Sequence, residues 1–224
     1  MPRKWGLNAF WMKLLMAALM LFDHIYEYLP PQPLLYHQLA RVVAPVFVFF
    51  VAEGMVYTHS RKNYIRRLLL SGLIMLAGNA VLQLLFGVFI PNSILVSLAI
   101  SAMVIDRIDR IRAGQNVLAN TVVTAVCFFV CIFFEGQFLC PLLALLFYYL
   151  REHKLLMYIA YVAASLVLVM LLRMPATQLL MVFAVVPIWL YNGERGKTGP
   201  FAQYFFYIFY PAHIWVLYLL ARLR

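Results

Sequence analysis

Two titratable residues stand side by side near the end of the first apolar stretch, in LFDHIYEYLPPQP at residues 21–33. Asp23 and His24 are followed by Glu27, in a chain where 66% of residues are hydrophobic and only 12% are charged. A charge at the middle of a membrane span costs about 2.5–3.5 kcal/mol, so such groups face a bundle interior or a water-filled cavity. An imidazole beside acids is suited to taking and returning a proton near neutral pH. Lys13 extends the pattern. Eleven residues make almost three helical turns, so Lys13 and His24 project from nearly one face, about 16 Å apart along the axis. Lys13 alone also reads as a snorkelling anchor, and His24 as a packing histidine. Neighbours in sequence do not face each other on a helix. Glu27, three residues on, can approach His24, while Asp23 is open to Arg41 at the start of the next apolar run, either as a structural ion pair or as part of the chemistry.

Other polar groups fall into three sets. In RVVAPVFVFFVAEGMVYTHSRKNYIRR, Glu53 and Tyr57 share a helix face, and a basic cluster ending in Arg66 and Arg67 follows. That cluster reads either as a topology signal or as a rim for phosphates. In YNGERGKTG, Asn192 opens a glycine-rich turn whose amides, with Arg195 and Lys197, form either a plain connection or a phosphate cradle. In YFFYIFYPAHIWVLYL, Tyr207, Tyr210 and His213 recur every third residue, and Pro211 removes one backbone donor and frees the carbonyl of residue 207. An aromatic belt explains some of these tyrosines but not His213. Walker, HExxH and GxSxG patterns are absent, and no metal site is expected from the spacing of histidines and acids.

The elements that must hold these groups follow from composition. Soluble domains average about 45–50% apolar and about 25% charged residues. A 224-residue chain this apolar is expected to be an all-α polytopic membrane bundle forming a single domain over residues 1–224. Nine spans are expected, with eight to ten as the range, at roughly 9–29, 38–58, 68–89, 93–106, 117–134, 138–150, 155–172, 176–191 and 202–221. The runs 93–106 and 138–150 are short for a crossing of about 20 residues. The net charge of +10 belongs to short basic clusters between apolar runs. That distribution places the N-terminus in the cytoplasm and argues against a nucleic-acid partner. Most basic residues, including Arg3 and Lys4, then lie inside, with Arg41, Arg173, Arg222 and Arg224 as exceptions. The first run lacks a clear cleavage site and reads as an uncleaved span. The outer loops are short: LPPQPLLYH, FIPNS and FEGQF. Cys127, Cys131 and Cys140 lie in or beside apolar runs, as buried small hydrophobes rather than a disulfide or metal set.

At this point the sequence resembles the TraX family of membrane proteins. LFDHI at 21–25, ARVVAPVFVFFVAEGMVYT at 40–58, YIRRLLLSGLI at 64–74, YNGERG at 191–196 and YFFYIFYPAHIWVLYL at 204–219 carry the likeness, in order along nearly the whole chain. Asn92 matches more loosely. TraX is associated with N-terminal acetylation of conjugative pilin and is similar to a wider group of membrane acyltransferases. That group carries a basic residue, ten intervening residues and an essential histidine, a spacing that Lys13 and His24 match. Its paired-arginine motif has RKNYIRR as the nearest counterpart here, at a different spacing.

The resemblance implies an acyltransferase integral to the bacterial cytoplasmic membrane. It would move an acetyl group from acetyl-CoA to an amine or hydroxyl of a peptide N-terminus or surface glycan. His24 is then the base or transient acyl carrier, tuned by Asp23 or Glu27. Arg41, Tyr210 or His213 would stabilise the oxyanion. The expected donor-binding residues are Lys13, Glu53, Tyr57, Arg66, Arg67, Asn192 and Arg195. The lipid bilayer is a partner, and a homo-oligomer is compatible with the sequence. The rival reading is a small proton-coupled transporter using the same buried groups as a relay.

Overall fold

Helix accounts for every extended element among the residues described by the computed structural model, which are 5–87, 90, 94–197 and 199–223. Arg3, Lys4, Asn92 and Arg224 lie outside them, as does most of the FIPNS loop. Each of the nine apolar runs coincides with a helix or a pair of short helices. Five stretches are long and apolar enough to cross a membrane: Ala9–Tyr28, Leu34–Tyr57, Arg61–Phe86, Lys154–Leu171 and Tyr204–Arg222. The chain is thus a helical membrane protein, folded as two compact units. One comprises Met1–Phe47 with Tyr158–Arg224, and the other Val48–Met157.

In the first unit, helix α1 (Ala9–Tyr28) starts at Asn8, whose side chain accepts from the Trp11 amide at 3.1 Å. That contact satisfies one of the free amides of the first turn. Met12, Met16, Met20 and His24 are buried and recur every fourth residue, so they form one stripe down the helix. The helix α1 packs against α2 (Leu34–Ala40) and α10 (Pro200–Arg222). Residues 34–37, expected as the end of a loop, are helical instead. Pro33 stands directly before the first turn, where its fixed φ suits entry to a helix. A turn at 41–42 separates α2 from α3 (Val43–Tyr57).

The helix α8 (Lys154–Leu171), a 3₁₀ segment over Ala176–Ala184 and α9 (Val185–Leu190) complete the order before α10. The apolar run at 176–191 is therefore a 3₁₀ segment joined to a short α-helix. The turn after α9 is stitched to the start of α1. Leu7 pairs with Tyr191 in an isolated parallel bridge, and the Ala9 amide donates to the Glu194 carbonyl at 2.8 Å. Gly196 has φ +74°, and a Cβ there would strike the Asn8 side chain, so the close approach requires glycine.

In the second unit, α5 (Ile94–Arg112) contacts α4 (Arg61–Phe86), α6 (Val117–Cys131) and α7 (Leu139–Leu150). It is longer than the run 93–106 because its charged end stays helical. Ser97, Ala99, Ser101 and Ala102 are fully buried, and such small residues let membrane helices approach closely. The Ser101 hydroxyl donates to the Ser97 carbonyl at 2.7 Å, which disposes of its polar atom locally. Cys127 and Cys131 are buried with Val96, Ile100 and Val104 in one apolar cluster. The helix α4 begins seven residues before the expected run, since Ser60 caps it by accepting from the Asn63 amide at 3.3 Å. The basic cluster at 61–67 is consequently on its first two turns.

Gly72 is where α4 meets α5. A Cβ at this position would lie 2.8 Å from Val96 Cγ2 and 3.0 Å from the Val96 backbone nitrogen. Backbone cannot give way as a side chain does, so Gly72→Leu should lower stability by about 1–3 kcal/mol. The thermal unfolding midpoint of the detergent-solubilised variant is the measurement, and an unchanged midpoint would contradict this packing.

Candidate functional site

Asp23 and His24 leave α1 in different directions. His24 is buried and turns to α10, where its Nδ1 lies 2.7 Å from Nε2 of buried His213. The other nitrogen of His213, Nδ1, is 2.6 Å from the Phe209 carbonyl four residues back. A carbonyl only accepts, so Nδ1 of His213 carries a hydrogen, and with both rings neutral its Nε2 is an acceptor. His24 must then donate from Nδ1, which leaves its lone pair on Nε2. Three atoms of α10 thereby fix the tautomer of a histidine on α1. Tyr210, also buried, has its ring 6.5 Å from that of His24 and 5.9 Å from that of His213. Tyr28 borders the same imidazole at 6.2 Å. Glu27 is exposed on the same helix.

Asp23 turns to α2. Its Oδ1 accepts from His37 Nδ1 at 2.8 Å, and its Oδ2 from Arg41 at 2.6 Å, so the pairing with Arg41 forms. Arg41 also donates to the Gln178 side chain and the His37 carbonyl, both at 3.2 Å. The His37 ring stacks on Tyr26 with centroids 5.2 Å apart. His37 and Gln178 escaped the reading of the sequence. The spacing of four between His37 and Arg41 would have revealed the shared face had residues 34–37 been recognised as helical.

At the other end of α1, Lys13 is half-buried and feels the like charge of Arg195, which is itself exposed. The Lys197 ammonium lies over the rings of Phe10 and Trp11, at 5.6 and 5.3 Å. The turn keeps two of its amides for itself. The Asn192 amide donates to the Leu7 carbonyl at 3.0 Å, and the Glu194 amide to the Asn192 side chain at 2.9 Å. These two amides are therefore not part of a phosphate cradle, because internal hydrogen bonds already occupy them. What the turn offers an anion is the charge of Arg195 and Lys197.

The remaining expected residues belong to the second unit. Glu53 is half-buried, within reach of the charges of Arg151 and Lys154. Tyr57 is 73% exposed, so the helix face shared with Glu53 extends into the open at its end. Arg66 is exposed, while Arg67 is half-buried with its guanidinium 5.9 Å from the centre of the Tyr64 ring. A cluster missed from sequence stands nearby in this unit. Arg61 donates to Asp109 at 2.7 Å and to the Tyr148 hydroxyl at 2.6 Å. The Tyr148 and Tyr149 hydroxyls donate to the two Asp109 oxygens at 2.6 and 2.9 Å. Arg112 lies 4.7 Å over the Tyr149 ring. With Val56, Arg151 and Glu152 these groups line a cavity of about 490 Å³. Asp109 lies beyond the apolar part of α5. Burial works against its ionisation, but hydrogen bonds from Tyr148, Arg61 and Tyr149 outweigh it and hold the carboxyl below its ordinary value.

Two outcomes follow. Replacing His213 with Phe removes the acceptor for His24 Nδ1, so His24 should lose its single fixed tautomer. Nitrogen NMR of ring-labelled protein reads this directly, and an unchanged His24 spectrum would contradict the pairing. A carboxyl with a lowered folded pKa stabilises above its ordinary range and loses that contribution as pH falls. The difference in unfolding midpoint between wild type and Asp109→Asn should therefore be largest near pH 7 and shrink below about pH 4. A pH-independent difference would show that the carboxylate charge is immaterial.

No curated protein and no solved structure matches the chain. A family model does, the one described as TraX protein, over residues 10–221. That range runs from the second residue of α1 to the last but one of α10 and includes both histidines of the buried pair. The chain belongs to the TraX family.

Proposed function

We propose that this membrane protein is an acyltransferase that moves an acetyl group from acetyl-CoA to an acceptor amine or hydroxyl. Membership in the TraX family favours an acceptor of the pilin kind, and hence the bacterial cytoplasmic membrane as its place of work. The observation that carries the reading is the buried His24–His213 pair, which presents one imidazole with a defined basic nitrogen. That imidazole shares a helix face with Lys13, about 16 Å away along the axis. A phosphate-bearing donor head suits the end with Lys13, Arg195 and Lys197, and an extended pantetheine arm is of the right order to cover the distance.

His24 Nε2 removes the proton from the attacking atom as that atom bonds to the thioester carbonyl. The tetrahedral intermediate collapses, the C–S bond breaks, and the same nitrogen returns the proton to the departing sulfur. His213 holds the tautomer throughout. Tyr210, whose ring borders both imidazoles, supplies a hydroxyl for the oxyanion in this reading. Arg41 is held by Asp23 and Gln178 and contributes positive charge at this end of α1.

Purified protein in detergent with labelled acetyl-CoA tests the reading. The His24→Ala variant should lose transfer by at least about 10²-fold, the lower end for general base catalysis, while donor binding persists. Near-normal turnover in this variant would remove His24 from the chemistry. Proton-driven uptake into vesicles without any acetyl transfer would replace the reading altogether.

A further inference from the structure

His37 is half-exposed, with 32% of its side chain accessible. Its Nδ1 hydrogen is committed to Asp23 Oδ1 at 2.8 Å. Arg41 Nη2 lies 3.4 Å from the same nitrogen, but the closer carboxylate sets the hydrogen there, and in its neutral form the ring keeps its lone pair on Nε2, for which no hydrogen-bond partner stands among the described residues. Asp23 is itself anchored from its other oxygen by Arg41, which Gln178 holds in turn. The ring face rests on Tyr26. A carboxylate that fixes the tautomer of an imidazole, while its second nitrogen keeps a lone pair, is the arrangement that orients a general base. This second histidine system is more open than the buried His24–His213 pair. Their members on α1, Asp23 and His24, are adjacent residues, one bonded to His37 of α2 and the other to His213 of α10.

Acyl transfer to an amine poses a problem that one base does not solve. The amine of a peptide N-terminus has a pKa of about 8 and is mostly an ammonium at neutral pH. An ammonium has no electron pair with which to attack. Two protons must leave the nitrogen before it becomes an amide N–H, and the departing thiolate needs only one of them.

We propose that His37, oriented by Asp23 and Arg41, is the base that takes the first proton from the acceptor ammonium. This rests on the acyltransferase reading above. His37 Nε2 accepts that proton and later releases it to water. The freed electron pair forms the C–N bond to the thioester carbonyl. His24 accepts the second proton from nitrogen and delivers it to sulfur as the C–S bond breaks. The products are an amide, a thiol and one proton in solution, so atoms and charges balance. A hydroxyl acceptor carries only one proton to lose and has no need of the first step.

Two acceptors separate the roles in the intact protein, using labelled acetyl-CoA in each case. One is a short peptide with a free N-terminus, charged at pH 7. The other is an arylamine such as aniline, which is already neutral there. In His37→Asn, kcat/KM for the peptide should fall by about 10²-fold or more, while that for the arylamine changes by less than about threefold. Added imidazole should restore peptide turnover in His37→Gly. The ratio of the two rates within one preparation is independent of the fraction of protein that folds. An equal loss for both acceptors would overturn the proposal and leave His37 as a structural residue, as would wild-type peptide turnover in His37→Asn. Loss of the His24 role shows differently, as undiminished transfer to both acceptors in His24→Ala. Absence of transfer by the wild-type protein to either acceptor would overturn both readings together.

Discussion

A buried neutral imidazole has two nitrogens with opposite roles, and whatever bonds to one decides the other. Here that decision is made by a backbone carbonyl. Phe209 forces the hydrogen onto Nδ1 of His213, His213 then has only an acceptor to offer His24, and His24 is left with its lone pair on Nε2. The first and last helices meet across this contact, and the methionines four, eight and twelve residues before His24 continue the same buried stripe. Packing and chemistry thus share one surface of α1. A change that shifts α10 against α1 alters the electronic state of His24 as well as its surroundings.

The second consequence of that geometry is division of labour between adjacent residues. Successive side chains on a helix are about 100° apart, so Asp23 and His24 serve different neighbours. One anchors α2 through His37 and Arg41, and the other anchors α10. The C-terminal half of α1 therefore carries two polar networks inside an apolar helix. In the second unit, Asp109 does comparable work alone, tying α4, α5 and α7 through Arg61, Tyr148 and Tyr149.

Hydrophobic runs made the helices legible in the sequence, since length and apolarity are read directly from residues. Their ends were less so. Ser60 extends α4 back into the basic cluster by a local cap, and Pro33 opens a two-turn helix in a segment whose prolines suggested a loop. The Asp23–Arg41 pair was legible because it joins the end of one run to the start of the next. His213 was visible as a polar group that an aromatic belt leaves unexplained, but its partner was not, because nothing periodic connects residues 189 apart. The same holds for Asp109 and its tyrosines, 39 and 40 positions on. Hydrogen bonds between distant helices depend on rotation about each axis, which is settled by packing over the whole chain rather than by local pattern.

The distance along the chain between His24 and His213 also bears on how the protein is made. Polypeptides leave the ribosome N-terminus first, at about 5–20 residues per second. The earliest helix therefore waits in the bilayer for the last one before its imidazole acquires a tautomer-setting partner. The Leu7–Tyr191 bridge imposes the same delay on the start of that helix. A nascent chain that stalls before α10 leaves that imidazole without His213, and so without the Phe209 carbonyl that sets its tautomer.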